Sequence, residues 1–105
     1  MNEGRFEVEI LPRAAKDLKG LKHHEAQALR EILQLEENPE LGHALLGSLR
    51  GVRALEFTLK GSGAYRAVYT VIDQQRVCIV FLVGPHENIY QRAERRWEAI
   101  KKHLG

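Results

Sequence analysis

Seven consecutive apolar residues, Val77-Cys78-Ile79-Val80-Phe81-Leu82-Val83, stop abruptly at Gly84-Pro85. The run is far shorter than the roughly 20 residues a membrane helix requires. It also lacks the alternation of a strand that is wet on one side. It predicts a central strand covered on both faces, so the rest of the chain must supply layers above and below it. Beyond the break, His86-Glu87-Asn88-Ile89-Tyr90 opens a basic helix. Ile89, Ala93, Trp97, Ile100 and Leu104 recur there at spacings of 4, 4, 3 and 4, a core-facing stripe. A histidine and a tyrosine thus stand where a buried strand surfaces and a helix begins. A rigid scaffold ends at such a point, and polar groups there can face a ligand.

The remaining elements follow from periodicity and punctuation. Phe6-Glu7-Val8-Glu9-Ile10 alternates as a half-buried strand. Pro12 suits the first turn of a short helix carrying Ala14, Ala15, Leu18 and Leu21, with Gly20 near its end. A second helix is predicted from about His24 to Glu37, closed by Asn38-Pro39. The two helices are expected to form a hairpin over one face of the sheet. Residues 39–52 hold three glycines and no period, and read as a loop. From Arg53 to Lys60 the chain alternates again. Leu55, Phe57 and Leu59 are expected in the core, with Ala54, Glu56, Thr58 and Lys60 on the other face. Gly61-Ser62-Gly63 turns the chain into a strand over Tyr65–Ile72, and Asp73-Gln74-Gln75 turns it into the apolar run. The order β-α-α-β-β-β-α predicts an α+β fold. It is read as one domain over residues 1–105, with a four-stranded, mainly antiparallel sheet, a helical hairpin and a C-terminal helix.

Composition sets the class. With 44% hydrophobic and 29% charged residues among 105, the chain can bury a core and is not of the disordered type. No basic segment followed by an apolar core marks a secretory signal at the N-terminus. The single cysteine, Cys78, lies inside the apolar run as a packing residue, so a cytoplasmic protein is expected, with no membrane association. The net charge of +2 is mild, but its distribution is uneven. Residues 31–40 carry Glu31, Glu36, Glu37 and Glu40 with no lysine or arginine. Across 50–66, Arg50, Arg53, Lys60 and Arg66 face the single Glu56, and Arg92, Arg95, Arg96, Lys101 and Lys102 crowd the final helix. A basic second half suits a polyanion such as RNA.

Several chemistries find no support. His23 and His24 are adjacent and point about 100° apart on a helix, and no HxxxH, CxxC or paired-carboxylate cluster exists, so no metal site and no cofactor are expected. Gly61-Ser62-Gly63 lacks the spacing and lysine of a phosphate-binding loop, and Ser48 and Ser62 lie in glycine-rich turns rather than at a nucleophile elbow. Three residues stand out instead. Arg66, flanked by Tyr65 and Tyr69, offers the planar fork that grips a phosphate in parallel hydrogen bonds. His86 has the side chain whose ordinary pKa suits proton transfer. Tyr90 lies beside the core stripe, where a ring can stack on a base or donate a proton.

These stretches together resemble the RelE/ParE superfamily of bacterial type II toxins. The resemblance rests on Phe6–Ile10, Leu46-Gly47-Ser48-Leu49-Arg50-Gly51, Tyr65-Arg66-Ala67-Val68-Tyr69 and Phe81 to Arg92, in that order. It implies a compact sheet flanked by helices and a cognate antitoxin as partner. RelE-like members cut mRNA in the ribosome, and ParE-like members poison DNA gyrase. The RelE-like strand arginine maps onto Arg66 and the tyrosine of the last helix onto Tyr90, while His86 resembles the basic or histidine position near the end of the last strand. RelE carries two lysines on the strand that here contains Glu56 and Thr58, so the resemblance implies a thinner phosphate clamp. A carboxylate with a histidine serves in related nucleases, so Glu56 or His43 could fill the vacant role. The expectation is a metal-independent endoribonuclease with Arg66, His86, Tyr90 and Glu56 as catalytic residues. Arg50, Arg53 and Lys60 are expected on the RNA. The alternatives are a non-nuclease inhibitor of gyrase and a member that only binds its antitoxin.

Overall fold

The computed structural model describes residues 4–104. The elements are β1 (Glu7–Ile10), α1 (Pro12–Lys19), α2 (Glu25–Leu33), β2 (His43–Ala44), β3 (Val52–Leu59), β4 (Gly63–Ile72), β5 (Val77–Pro85) and α3 (Ile89–Ile100). The strands form one sheet in the order β1-β5-β4-β3-β2. β1 runs parallel to β5, and the other neighbours are antiparallel. The α+β architecture is as the sequence indicates, but the sheet has five strands rather than four. The additional strand is the two-residue pairing of His43 and Ala44 with Ala54 and Arg53, inside the segment read as loop. Two residues are too few to leave a periodic trace in a sequence.

The apolar run is explained by cover on both faces and by a bulge. Val68 pairs with Leu82 and Tyr69 with Val80, so Phe81 is an extra residue in β5. The bulge turns Phe81 and Leu82 to the same side. There they pack with Leu49, Val52, Val68, Ile89 and Ala93, under α3. Cys78, Val80 and Val83 point to the opposite side and join Ala14, Leu18, Ala28 and Ile32 from α1 and α2. Trp97 of the predicted stripe stacks on Phe81, with ring centroids 5.7 Å apart. The helix begins at Ile89 rather than at His86, because Asn88 adopts a left-handed conformation (φ 56°) that α-helix cannot continue through.

β3 buries Leu55, Phe57 and Leu59 as expected, but Ala54 is also fully buried. The turn at Gly47–Leu49 and α3 cover the Val52 end of that face, so it opens to solvent only from Glu56 onward. At the other edge, β1 pairs only as far as Val80. Past that point Asp17 on α1 accepts from the Val83 amide at 3.0 Å, and Arg96 on α3 donates to the Phe81 carbonyl at 2.9 Å. An ion pair between these two side chains, at 2.7 Å, closes the edge of β5 where a strand is missing. No helix among the described residues is long and apolar enough to cross a membrane.

Candidate functional site

The open end of the α3-side face gathers four of the polar residues. Glu56 and Arg66 sit directly opposite each other across β3 and β4. Arg66 Nη2 donates to Glu56 Oε2 at 3.2 Å. The arginine is the more enclosed partner, with 17% of its side chain exposed against 52% for the glutamate. On its other side Arg66 pairs with Gly84. Tyr90, in the first turn of α3, lays its ring over the guanidinium at 5.1 Å from the centroid, a cation–π contact. Arg66 Nε is buried and has no hydrogen-bond partner among the described residues. The guanidinium therefore keeps donor capacity that neither Glu56 nor Tyr90 uses.

The Tyr90 hydroxyl lies 3.4 Å from His43 Nε2, and the imidazole tautomer sets which of the two donates. His43 reaches this position because its loop is stapled down from the opposite face of the sheet. Buried Tyr69 donates its hydroxyl to the Pro39 carbonyl at 2.7 Å and accepts from the Gly42 amide at 2.9 Å. Burial raises the pKa of that phenol above its ordinary value. Arg53 donates to the carbonyls of Gly42 at 2.8 Å and Glu40 at 3.1 Å. Gly42 itself presses on β3, since a Cβ there would stand 2.7 Å from the Ala54 carbonyl carbon and oxygen. The other flank of the loop is tied to α3 by a hydrogen bond from Ser48 to Glu94. An open cleft of about 360 Å³ runs from His43 and Glu56 to Glu31 on α2 and Gln34 just past its end.

The structure thus brings together Arg66, Tyr90, Glu56 and His43. It does not join His86 to them by any side-chain hydrogen bond or ion pair among the described residues. His86 is exposed just past β5, with its amide bonded to the Ala64 carbonyl at 3.2 Å. Arg53 lies on the far face of β3 with its guanidinium committed to the loop, while Arg50 and Lys60 are exposed and make no side-chain bond among the described residues. The roles of Tyr69, Arg53 and Ser48 in holding His43 escape sequence reasoning. Each depends on contacts across 11 to 46 residues that no local spacing encodes. Among the described residues no three His, Cys, Asp or Glu side chains converge as metal ligands.

This arrangement can be set against known proteins. No curated protein sequence matches the chain. Among solved structures, a double mutant of the Escherichia coli toxin RelE in the free state superposes with a TM-score of 0.70. It is 24% identical, over 91% of this chain and 98% of that one. RelE within the intact E. coli RelBE toxin–antitoxin complex gives 0.61 at 28% identity, over 78% and 98%. A YoeB/ParE toxin from Agrobacterium tumefaciens gives 0.57 at 17%, over 77% and 99%. The family model for the ParE-like toxin of type II bacterial toxin–antitoxin systems matches residues 8–94. The chain spans that family's fold almost from end to end, and it is a member of the ParE-like toxins of type II toxin–antitoxin systems.

Proposed function

We propose that this toxin is an endoribonuclease that cuts mRNA on the ribosome and is held inactive by a cognate antitoxin. One observation carries the reading. Arg66, paired only with Glu56 among the described residues, meets Tyr90, His43 and Glu56 at the open end of a sheet face. The 2′-oxygen of the RNA attacks the adjacent phosphorus as its proton leaves. The bond from phosphorus to the 5′-oxygen breaks, and that oxygen takes up a proton. The products are a 2′,3′-cyclic phosphate and a 5′-hydroxyl. Because the RNA brings its own nucleophile, the protein has to supply only proton transfer and positive charge on the phosphorane.

Arg66 supplies the charge, and the hydrogen-bonded pair of His43 and Tyr90 handles the protons. Glu56 holds the guanidinium until a phosphate displaces it. His86 lies along the approach past β5 and contacts the RNA strand rather than the reacting atoms, together with Arg50 and Lys60. Mapping of RNA 5′ ends after induced expression tests this. Cleavage within coding sequences is expected, and Arg66→Ala should lower it by about 10²–10³. Unchanged cleavage by that variant overturns the assignment.

The family match to ParE-like toxins favours a second reading, in which the toxin binds gyrase without cutting RNA. Purified toxin assayed in parallel on translating ribosomes and on gyrase separates the two. Gyrase poisoning without RNA cleavage reverses the ranking.

A further inference from the structure

On α3, Tyr90 and Glu94 face the loop that carries His43 and Ser48, while Arg92 and Arg96 face Asp17 on α1. The helix therefore separates the candidate site from a second polar region. There Arg13 of α1 and Arg92, Arg95 and Arg96 of α3 alone line a cavity of about 250 Å³. Asp17 is the one carboxylate among the described residues that pairs with any of them. It takes Arg96 in two hydrogen bonds, at 2.7 and 3.2 Å, and touches Arg92 at 3.8 Å. Arg13 and Arg95 are exposed and have no carboxylate partner among the described residues. Arg92 lies against Gly84, where a Cβ would come within 2.8 Å of its Nη1, so the absence of a side chain makes room for it. Four guanidinium groups set against one carboxylate repel one another unless an anion joins them.

We infer that this arginine cavity is a second phosphate-binding site, one that grips the backbone of an RNA strand on the flank of α3 opposite Arg66. The inference rests on the RNA reading for its biological ligand. Each planar guanidinium of the lining can meet two phosphate oxygens in parallel hydrogen bonds. An acidic peptide would meet the same forks, and the test below includes one for that reason. Arg92 lies against Gly84, and Gly84 pairs with Arg66, so the cavity borders the candidate site and phosphates of one strand can reach both. The site adds affinity and register without touching the reacting atoms.

Arg13→Glu and Arg95→Glu, singly and together, change the two exposed and unpaired members and spare the Asp17 pair. The probe is a twelve-nucleotide 2′-O-methylated RNA, which cannot be cleaved, titrated into the intact chain at several salt concentrations. The double variant is expected to bind at least roughly tenfold more weakly, with a salt slope lower by about one unit per arginine and an unchanged melting temperature. The same loss is expected in an Arg66→Ala background. Unchanged affinity and slope overturn the inference, as does loss of binding to an acidic peptide with RNA binding intact, which assigns the cavity to a protein. A wild-type chain that cleaves no RNA, yet binds the probe through Arg13 and Arg95, refutes the nuclease reading and leaves this site standing.

Discussion

The Arg66 guanidinium lies 5.1 Å from the centroid of the Tyr90 ring, and the hydroxyl of that ring lies 3.4 Å from His43. One side chain therefore bridges the guanidinium and the imidazole of the candidate site. Its two functions can be separated. Tyr90→Phe keeps the ring over Arg66 and removes only the hydroxyl, while Tyr90→Ala removes both. If the hydroxyl takes part in proton transfer, Tyr90→Phe lowers single-turnover cleavage by about 10²-fold or more. The alanine variant adds the loss of a stacking contact worth about 0.5–2 kcal/mol. A phenylalanine variant as active as wild type confines Tyr90 to stacking.

The two histidines give a sharper comparison. His43 is hydrogen-bonded into the cluster, and His86 is exposed without a side-chain partner among the described residues. His43→Ala is expected to lower the cleavage rate by about 10²–10⁴, the usual range for a proton-transfer group. His86→Ala is expected to weaken RNA binding and leave the rate at saturating RNA within a few-fold of wild type. Rates measured for both variants on one substrate decide between them, and the opposite ranking returns the proton-transfer role to His86.

The difference between these histidines also marks how far the sequence could be read. The order of elements, the buried β5 run and the row holding Glu56 were legible because each rests on local period. Arg66 and Tyr90 stood out by residue type and position, and the family resemblance added the roles expected of them. The bulge at Phe81 was not, since an unbroken apolar run gives the same pattern with or without an extra residue. His43 could be named only as an option. Its position depends on Tyr69 and Arg53 holding residues 39–42 from the far side of the sheet. The hydrogen bonds from Arg53 to the Gly42 and Glu40 carbonyls were not legible either, because charge is visible in a sequence and partnership is not.

Gly42 tests that stapled loop. Any Cβ there meets the Ala54 backbone at 2.7 Å, and a backbone atom in a paired strand cannot swing aside. Gly42→Ala is expected to destabilise the protein by about 1–3 kcal/mol, as overpacking does. Cleavage should fall beyond what stability explains, because the shift carries His43 with it. Urea denaturation and cleavage assays under native conditions check both parts. A fully active, fully stable alanine variant shows that the loop position is not fixed by this contact.

Cys78 gives a pH-dependent expectation. Desolvation, reinforced by the negative charge of Asp73, pushes its thiol up to about 11 from an ordinary value of 9.0. The folded state thus holds the proton where the unfolded chain has already released it. The associated stability is complete below pH 9 and is lost as pH rises toward 11. Buried Tyr69 shifts in the same direction and adds to the loss. Native protein at pH 8 is expected to resist thiol reagents and to react promptly in denaturant. Denaturation midpoints should fall above pH 9, and less steeply in Cys78→Ala. Rapid labelling of the native chain at pH 8 contradicts the burial.

Asp17 and Arg96 test how the incomplete edge of β5 is closed. Their side chains are only 14% and 12% exposed, so removing either leaves a largely desolvated charge. Asp17→Ala is expected to cost about 3 kcal/mol, the lower end for breaking a buried pair, and to lower Tm by roughly 10–20 °C. For an isolated ion pair, replacing both partners with apolar residues often restores the loss. Here each partner also serves the strand, Asp17 at the Val83 amide and Arg96 at the Phe81 carbonyl. The double variant Asp17→Leu, Arg96→Met should therefore recover only part of the stability and remain about 1–3 kcal/mol below wild type for the unpaired backbone groups. Full recovery in thermal and urea melts refutes the edge-closing role and leaves the pair a simple salt bridge.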